Sequence, residues 1–551
     1  MKNKKAKENR THRVSLRSRI SAVAALLAAA ALLLYFGIGS DRLESLSPIP
    51  ENALVDKPTL NLWYTDESLS DFLAAAALDF SEGSEVRVIP RLVSGLEYLE
   101  SINEASLNTN MVPDVYILGN ESLEKAWLSG LACEIRNGEG YVSTEHFPEA
   151  AIRAVTYQNR LIGYPFYYET SALVYNLSYL ETAAADQLQA EADALAGQEA
   201  MAALDENGEP VQAENAGSAD GEDADGSSTS GGSTNGEGTD GSGTSVGDAD
   251  NDGTDSQDAQ NGGPDSQIAQ RTQELIPADI DDILSFADSY NAPEQVEAVF
   301  RWDVSDVFYN YFFIGNYVDV GGTYGDDEEQ IDIYNLDAIR CLSAYQELTQ
   351  YFSIDPEEVS YESVAQEFLD GKLVFTIATT DILSRLEQAA ADGSFPYAYG
   401  VARVPDIGGL EARSLSVTSA VVVNGYSEKK DVANEFARYL TESAAERLYE
   451  SSGKLPADTQ VTLPSEQAAV FAEEYAASVP IPKMMTTSNY WVQMEIAFTR
   501  VWNGEEVSAV LKDISEQIMT QVTGEAYTEE YIEPPVEETQ AEENQEGEAD
   551  F

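Results

Sequence analysis

The chain has 551 residues, which is too long for one compact core and predicts two lobes with additional segments. Its 97 acidic residues against 31 Lys and Arg give a formal net charge of -66. Because a nucleic-acid-binding protein needs a basic face to neutralise phosphates, this charge argues against nucleic acid as a partner.

The N-terminus has the pattern of a membrane anchor. Residues 1–19 carry eight Lys or Arg against one Glu and are interpreted as a basic cytoplasmic arm. Residues 20–38 form an uncharged apolar run long enough to cross a bilayer, which favours a retained transmembrane or signal-anchor helix over a cleaved signal peptide. Residues 39–58 form a spacer, so the remaining chain is expected outside the cell membrane.

Residues 59–182 alternate between predicted strands and helices. The strands are Leu60–Tyr64, Val86–Pro90 and Val115–Leu118, and the helices are Ser68–Phe80, Leu96–Leu107 and Glu121–Ser129. This alternation predicts a mainly parallel sheet covered by helices on both faces. Ligands of such sheets bind at the loops after the strands, here Tyr64–Ser68 and Gly119–Ser122.

The stretch Asn159–Asn176, NRLIGYPFYYETSALVYN, interrupts an apolar β-rich frame with aromatic rings and one carboxylate. A carboxylate between apolar β-formers must find partners, since an unpaired buried charge is costly. We therefore predict a binding site that includes Glu169 and, on local chemistry, Tyr168. The alternative is a strand whose tyrosines only fill a core.

Residues 183–275 form a low-complexity insertion with 20 acids and no base between Ala183 and Gln270. Its few apolar residues cannot offset the entropy of ordering, so we predict that it is mostly disordered, with a solvated helix possible at Ala183–Leu204. The tail, residues 524–551, has 11 acids and no base and is also predicted to be disordered.

Residues 276–381 are predicted to form the second lobe. A helix over Ile276–Tyr290 is capped near Asp279, and the strand Leu373–Ala378 follows further on. In the aromatic run between them, Trp302 and Asp303 repeat the combination of ring and carboxylate. They are candidate ligand contacts, with packing as the alternative.

Residues 382–523 are predicted to supply returning strands and closing helices. They include a strand over Leu415–Val423, one long helix over Ser427–Ser451, a late helix that begins at Trp491, and a last helix whose apolar face contains Val510, Leu511, Ile514 and Ile518.

The scarcity of histidine and cysteine argues against several kinds of catalytic and metal site. His146 is the only imidazole outside the cytoplasmic arm, which argues against Ser-His-Asp catalysis and His-rich zinc sites. Cys133 and Cys341, in different predicted lobes, are interpreted as inert buried thiols. We predict no catalytic residues, no metal and no cofactor.

Six motifs follow one another along the chain: LNLWYTDES, PDVYILGNESLEKAWLSGL, NRLIGYPFYYETSALVYN, FLDGKLVFTIATTD, ANEFARYLTESAAERLYESSGKLPA and the helices around Trp491. Their order resembles that of maltose-binding-protein-like extracellular solute-binding proteins of carbohydrate ABC importers. The resemblance covers about Thr59–Leu180 and Ile276–Val522. It implies a two-lobe periplasmic-binding-protein-like α/β fold with hinge strands and a central cleft. Lobe 1 with the hinge would comprise residues 59–182 and parts of 382–523.

The resemblance also implies ligand contacts. Glu169 matches a sugar-contacting carboxylate beside the first crossing strand, and Trp491 matches a stacking ring on the lobe-closing helix. The loops after the first and third strands supply Asp66, Glu67, Asn120 and Glu121. Where family members can carry aromatic rings, this chain has Thr380, Asp381 and Leu118, which leaves the identity of the sugar open.

The expected function is that of a membrane-anchored, monomeric, non-enzymatic receptor. It would capture a carbohydrate such as an oligosaccharide by closing its lobes and deliver it to the permease subunits of an ABC importer. One alternative is a tethered sensor or scaffold of the same fold. Another is a glycoside hydrolase that uses paired carboxylates such as Glu169 and Asp303. Within the binding class, a cationic solute such as a polyamine is also compatible with rings and acids.

Overall fold

The computed structural model describes residues 57–107, 112–202 and 264–534. A ten-stranded sheet runs through this part of the chain and is accompanied by two short hairpins. The strands are β1 (Thr59–Tyr64), β2 (Arg87–Leu92), β3 (Val115–Gly119), β4 (Thr156–Tyr157), β5 (Arg160–Leu161), β6 (Tyr164–Asn176), β7 (Ala298–Phe300), β8 (Asp319–Val320), β9 (Ile331–Asp332), β10 (Leu373–Thr379), β11 (Tyr399–Ala402), β12 (Leu415–Val423), β13 (Leu455–Pro456) and β14 (Val479–Pro480).

Helices cover both faces of the sheet. They are α1 (Ser70–Gly83), α2 (Tyr98–Ser106), α3 (Leu123–Leu128), α4 (Glu149–Val155), α5 (Leu177–Ala202), α6 (Pro264–Glu274), α7 (Ile280–Ser289), α8 (Val307–Asn310), α9 (Leu336–Glu347), α10 (Tyr361–Leu369), α11 (Ile382–Asp392), α12 (Lys430–Thr441), α13 (Leu448–Ser452), α14 (Glu466–Ala477), α15 (Tyr490–Trp502) and α16 (Val507–Thr523).

The long strand β6 joins two lobes. Its first half, Tyr164–Thr170, pairs with β12 beside the parallel strands β1, β2 and β3. Its second half pairs with β10, which is parallel to β7. The order across the sheet is β2-β1-β3-β12-β6-β10-β7. With β12 and β14 as further crossing segments, these strands confirm the expected two-lobe α/β architecture with hinge strands.

Alternation of apolar side chains along the strands builds a core on each face of lobe 1. Leu60 and Leu62 of β1 face one core, while Trp63 faces the other. In β3, Val115 and Ile117 likewise lie opposite Tyr116 and Leu118. Because neighbouring side chains of a strand point to opposite faces, a strand that is buried on both faces has a continuous apolar sequence.

The predicted helix over Ser427–Ser451 is not continuous. It is divided into α12 and α13, because Glu442 at the end of α12 has φ -107° and ψ -86°, outside the helical region. By contrast, the predicted cap of α7 is confirmed: the Asp279 side chain accepts from the backbone N–H of Asp281, and Asp282 completes a capping box.

The insertion is more ordered at its ends than the sequence predicts. α5 extends through Ala202, α6 begins at Pro264, and Arg271 of α6 pairs with Glu191 of α5 at 3.1 Å. The part of the prediction that concerns residues 203–263 falls outside the described residues.

Residues 525–534 of the tail, which was predicted to be disordered from residue 524, form hydrogen bonds with the rest of the chain. The Glu529 N–H donates to Glu516 of α16 at 3.0 Å, and the Ile532 N–H donates to the Tyr334 hydroxyl at 2.7 Å. These main-chain bonds hold the segment against α16 despite its charge. Residues 535–551 lie outside the described residues.

The anchor prediction also concerns residues outside the described part. The basic arm 1–19, the apolar run 20–38 and the spacer up to residue 56 are not described. Across residues 57–107, 112–202 and 264–534, no helix has both the length and the apolar character required for a membrane span.

Candidate functional site

A cavity of about 370 Å³ lies at the carboxyl ends of the lobe-1 strands. Thr65 follows β1, and Glu121 follows β3, so the two loops singled out from the sequence meet here. Leu118 lines the cavity where the resemblance allows a tryptophan. The other lining residues include Tyr98, Glu97, Glu100, Lys125, Tyr167 and Ser419. We refer to it as the lobe-1 cavity.

Gly119 shapes the floor of the lobe-1 cavity. A Cβ atom at this position would lie 2.2 Å from Oε2 of Glu121, so only glycine lets the Glu121 carboxylate fold back over the end of β3. Lys125 and Glu100, which also line the cavity, form an ion pair. The cavity therefore presents carboxylates and one paired lysine around a tyrosine-containing wall.

A charged cluster that includes Glu169 of β6 lies beside this cavity. The Lys454 ammonium is 2.8 Å from Oε1 of Glu169 and 3.1 Å from Oδ2 of Asp66, and it lies 5.4 Å from the centre of the Tyr167 ring. Because Tyr167 and Glu169 are two residues apart on one strand, they share a face of the sheet. We call Asp66, Tyr167, Glu169 and Lys454 the Lys454 cluster.

The electrostatics of the Lys454 cluster follow from this pairing. Burial lowers the pKa of Lys454, but the negative charges of Glu169 and Asp66 outweigh it and hold that pKa well above its usual value. Burial also raises the pKa of Asp66, yet hydrogen bonds from Ser68 and the charge of Lys454 lower it overall. Burial raises the pKa of Tyr167 to about 12. At neutral pH the Lys454 ammonium and the Asp66 carboxylate are therefore both charged.

Sequence reasoning missed Lys454 and Tyr167 as members of this cluster. Strand alternation was the signal that could have placed Tyr167, rather than Tyr168, beside Glu169. Lys454 lies 285 residues from Glu169, and nothing in its local sequence indicates a carboxylate partner.

Two other candidates, Asn120 and Tyr168, are engaged in contacts within the fold. The Asn120 amide donates to the Ile481 carbonyl at 2.7 Å and accepts from the Thr418 N–H at 2.8 Å. Tyr168 is 1 % exposed and stacks flat on Tyr475, with ring centres 3.9 Å apart. Glu67, in contrast, is exposed beside Asp66.

Trp302 and Asp303 form part of the lobe-2 interior. The buried Trp302 indole donates to Asn310 at 2.8 Å and stacks on Phe300. Asp303 accepts backbone N–H groups from Ser305 at 3.0 Å and from Tyr361 at 3.0 Å. These contacts correspond to the packing alternative stated from the sequence.

The remaining candidates also belong to lobe 2. Asp381 accepts from the Tyr361 hydroxyl at 2.7 Å and lies 3.5 Å from Arg385, whereas Thr380 is buried. Trp491 is half-buried in the first turn of α15, 5.8 Å from the Tyr311 ring. The structure thus brings Glu169 and Asp66 together through Lys454 and leaves Trp491 on the other lobe.

Neither cysteine forms a disulfide in the described part of the chain. Cys133 is half-buried, Cys341 is buried, and burial raises the pKa of the Cys341 thiol to about 12. The described residues contain no group of three or more His, Cys, Asp and Glu side chains arranged to hold a metal ion.

Comparison with known proteins identifies the fold. No family model and no curated protein sequence matches the chain. Solved structures match over most of it. One is a cyclo/maltodextrin-binding protein in complex with maltotetraose, at 18 % identity and a TM-score of 0.59, covering 84 % of this chain and 97 % of the other.

Two further structures agree with this result. An extracellular solute-binding protein from Staphylococcus aureus in complex with maltose is 15 % identical, with a TM-score of 0.59 and coverage of 85 % and 99 %. The maltotriose-binding protein of Thermus thermophilus, bound with maltotriose, is 16 % identical, with a TM-score of 0.52 and coverage of 84 % and 99 %. The chain therefore has the two-lobe fold of sugar-binding solute-binding proteins, as the resemblance in its sequence implies.

Proposed function

We propose that this chain is an extracellular solute-binding protein that captures a carbohydrate between its lobes. The observation that carries the proposal is the lobe-1 cavity, which lies at the carboxyl ends of β1 and β3 and borders the Lys454 cluster on a crossing strand. The three solved structures described above contain maltotetraose, maltose and maltotriose. Their ligands make linear glucose oligosaccharides the first candidates.

The chemistry of the region suits a polyhydroxy ligand. Oε2 of Glu169 accepts no hydrogen bond from any residue in the described ranges, and the Glu169 side chain retains 41 % exposure. This oxygen can accept a hydrogen bond from a ligand hydroxyl, and the half-buried Trp491 ring can pack against an apolar face of a sugar. A hydrogen bond to a charged group contributes roughly 1.5 to 3 kcal/mol.

Closure of the lobes would convert these separate contacts into one site. Glu169 lies on the strand that joins the lobes, whereas Trp491 lies in the first turn of α15 in lobe 2. A ligand that contacts both residues stabilises the closed form over the open form by its difference in affinity for the two. The closed form would then be the one that a permease recognises.

Titration calorimetry with maltose, maltotriose and maltotetraose tests the proposal. Glu169→Ala should weaken binding of the preferred sugar by about tenfold or more, which corresponds to the loss of about 1.5 kcal/mol or more from one charged hydrogen bond. Glu82→Ala removes an exposed carboxylate of α1 that does not line the lobe-1 cavity and is the matched control. Equal affinities for the parent, Glu169→Ala and Glu82→Ala would exclude Glu169 from the site.

We further propose that residues 20–38 tether the protein to the membrane and that an ABC importer receives the solute. The support is the charge and apolar pattern of the first 38 residues together with the fold. Fractionation of cells should recover the full chain with membranes and a chain lacking residues 1–38 in the soluble fraction. Recovery of the full chain in the soluble fraction would contradict the tether.

A further inference from the structure

Lys454 is held at the candidate site by the backbone around it. Gly453 ends α13 with φ 71°, and Leu455 and Pro456 pair with Tyr168 and Tyr167 of β6. The ammonium is thereby carried to the face of β6 that presents Glu169. Its side chain is only 17 % exposed.

We propose that Lys454 is a specificity-determining residue: its ammonium occupies the place where a cationic solute would bind and thereby selects neutral polyhydroxy solutes. Glu169 and Asp66 each place a carboxylate oxygen within 3.1 Å of this one nitrogen. Two carboxylates that converge in this way, beside the face of a tyrosine ring, form a favourable receptor for an ammonium group. In this chain the protein itself supplies that ammonium.

The paired cluster keeps the groups that a neutral solute needs. Oε2 of Glu169 remains available as an acceptor, and an ammonium has three N–H donors, so Lys454 can serve two carboxylates and still donate to a ligand hydroxyl. An arriving polyamine would instead meet a fixed positive charge. Lys125, the other lysine at this edge, is engaged with Glu100 and does not offer a substitute for Lys454.

This role is defined within the proposed solute-binding site, so the test separates the two claims by using two probes. The full-length protein in detergent is titrated with spermidine and, independently, with maltotriose. Lys454→Met should bind spermidine about tenfold more tightly than the parent, because two carboxylates lose their internal counter-charge. That gain should shrink at high salt and disappear when Glu169→Gln is added.

Lys454→Arg is the matched control, since it retains the positive charge and should leave the affinity for spermidine at the parent level. If Lys454→Met does not fold, as judged by circular dichroism, Lys454→Gln carries the same test with a polar side chain. A folded neutral variant that binds spermidine no better than the parent would overturn the assignment, as would a gain of equal size in Lys454→Arg.

Failure of this assignment and failure of the carbohydrate proposal give different results. If the parent binds maltotriose and the neutral variant gains no affinity for spermidine, the role of Lys454 is refuted while carbohydrate capture stands. If the neutral variant gains that affinity and no sugar binds the parent, Lys454 has its assigned role and the carbohydrate proposal fails.

Discussion

Two regions of the molecule combine aromatic rings with carboxylates. They differ in whether the polar groups are bonded to the protein or remain open to a ligand. In the Lys454 cluster, Glu169 keeps 41 % of its side chain exposed and one oxygen without a donor among the described residues. In lobe 2, Trp302 is 0 % and Asp303 is 7 % exposed, and their polar atoms are bonded to protein. The same combination of residue types therefore makes a candidate ligand surface in one lobe and a core in the other.

A ring beside a carboxylate in the sequence therefore indicates polar groups that need hydrogen-bond partners. It does not indicate whether the protein or a ligand provides them. A buried polar group must be satisfied within the fold, whereas a half-exposed one can accept a ligand. Substitutions in the two regions should therefore affect different measurements: stability in lobe 2 and binding at the Lys454 cluster.

The largest effect is expected for Trp302→Ala. Removing a fully buried indole leaves a cavity and deprives Oδ1 of Asn310 of its donor, which should lower the free energy of unfolding by about 3 to 5 kcal/mol. Urea unfolding measures the loss. Trp491→Ala, which removes a half-buried indole, is the control, and its free energy of unfolding should decrease by less than that of Trp302→Ala. An unchanged midpoint in Trp302→Ala would contradict the assignment of this ring to the core.

Asp303→Asn should have the next largest effect. Oδ1 of Asp303 accepts from Ser305 and Oδ2 accepts from Tyr361, so an amide would present an NH₂ group to one of these donors. The expected loss in the free energy of unfolding is about 1 to 3 kcal/mol. Asp306→Asn is matched, since an Asn still accepts the Phe308 N–H at the start of α8. Equal losses in the two variants would refute this account.

A smaller effect is expected from the titration of Asp66 in the Lys454 cluster. Its folded-state pKa lies below 3.8, so its stabilisation is present above that pH and is lost as the pH falls through the folded-state value. The free energy of unfolding of the parent should exceed that of Asp66→Asn by up to about 1 kcal/mol near neutral pH, and this difference should vanish in acid.

Unfolding of the parent, Asp66→Asn and Glu67→Gln at a series of pH values measures this difference. Glu67→Gln removes a neighbouring exposed carboxylate but keeps Asp66, so its free energy of unfolding should fall in acid as that of the parent does. A difference between the parent and Asp66→Asn that grows as the pH falls would have the wrong sign for the Lys454 pairing.

The smallest effect is expected for Tyr168→Phe. The Tyr168 hydroxyl is buried without a hydrogen-bond partner in the described residues, so its removal should change the free energy of unfolding by less than about 0.5 kcal/mol. Tyr475→Phe, on the ring that stacks against it, should cost about 1 kcal/mol, because this hydroxyl bonds to Thr418 at 2.7 Å. Loss of sugar affinity in Tyr168→Phe would return Tyr168 to the candidate ligand contacts.

Much of the fold could be predicted where the local pattern is strong. β1, β3, β10 and β12 occur within a residue or two of their predicted positions, since continuous apolar runs bounded by polar loops define buried strands. The division of the predicted helix at Glu442 was not predictable, because no proline or glycine interrupts Ser427–Ser451. The order of residues 525–534 was also missed, since it depends on main-chain bonds to α16 and Tyr334.

The residue pattern was enough to predict alternating strands and helices and a carboxylate at position 169 on an apolar strand, because periodicity and local charge are properties of neighbouring residues. That this strand joins two lobes was implied by the resemblance of the six motifs. Which groups surround that carboxylate depends on the folded arrangement of distant segments. Lys454 is 285 residues away from it, and Asp66 belongs to a third segment. Charges interact through space, so the chain had to fold before these three could be identified as one cluster.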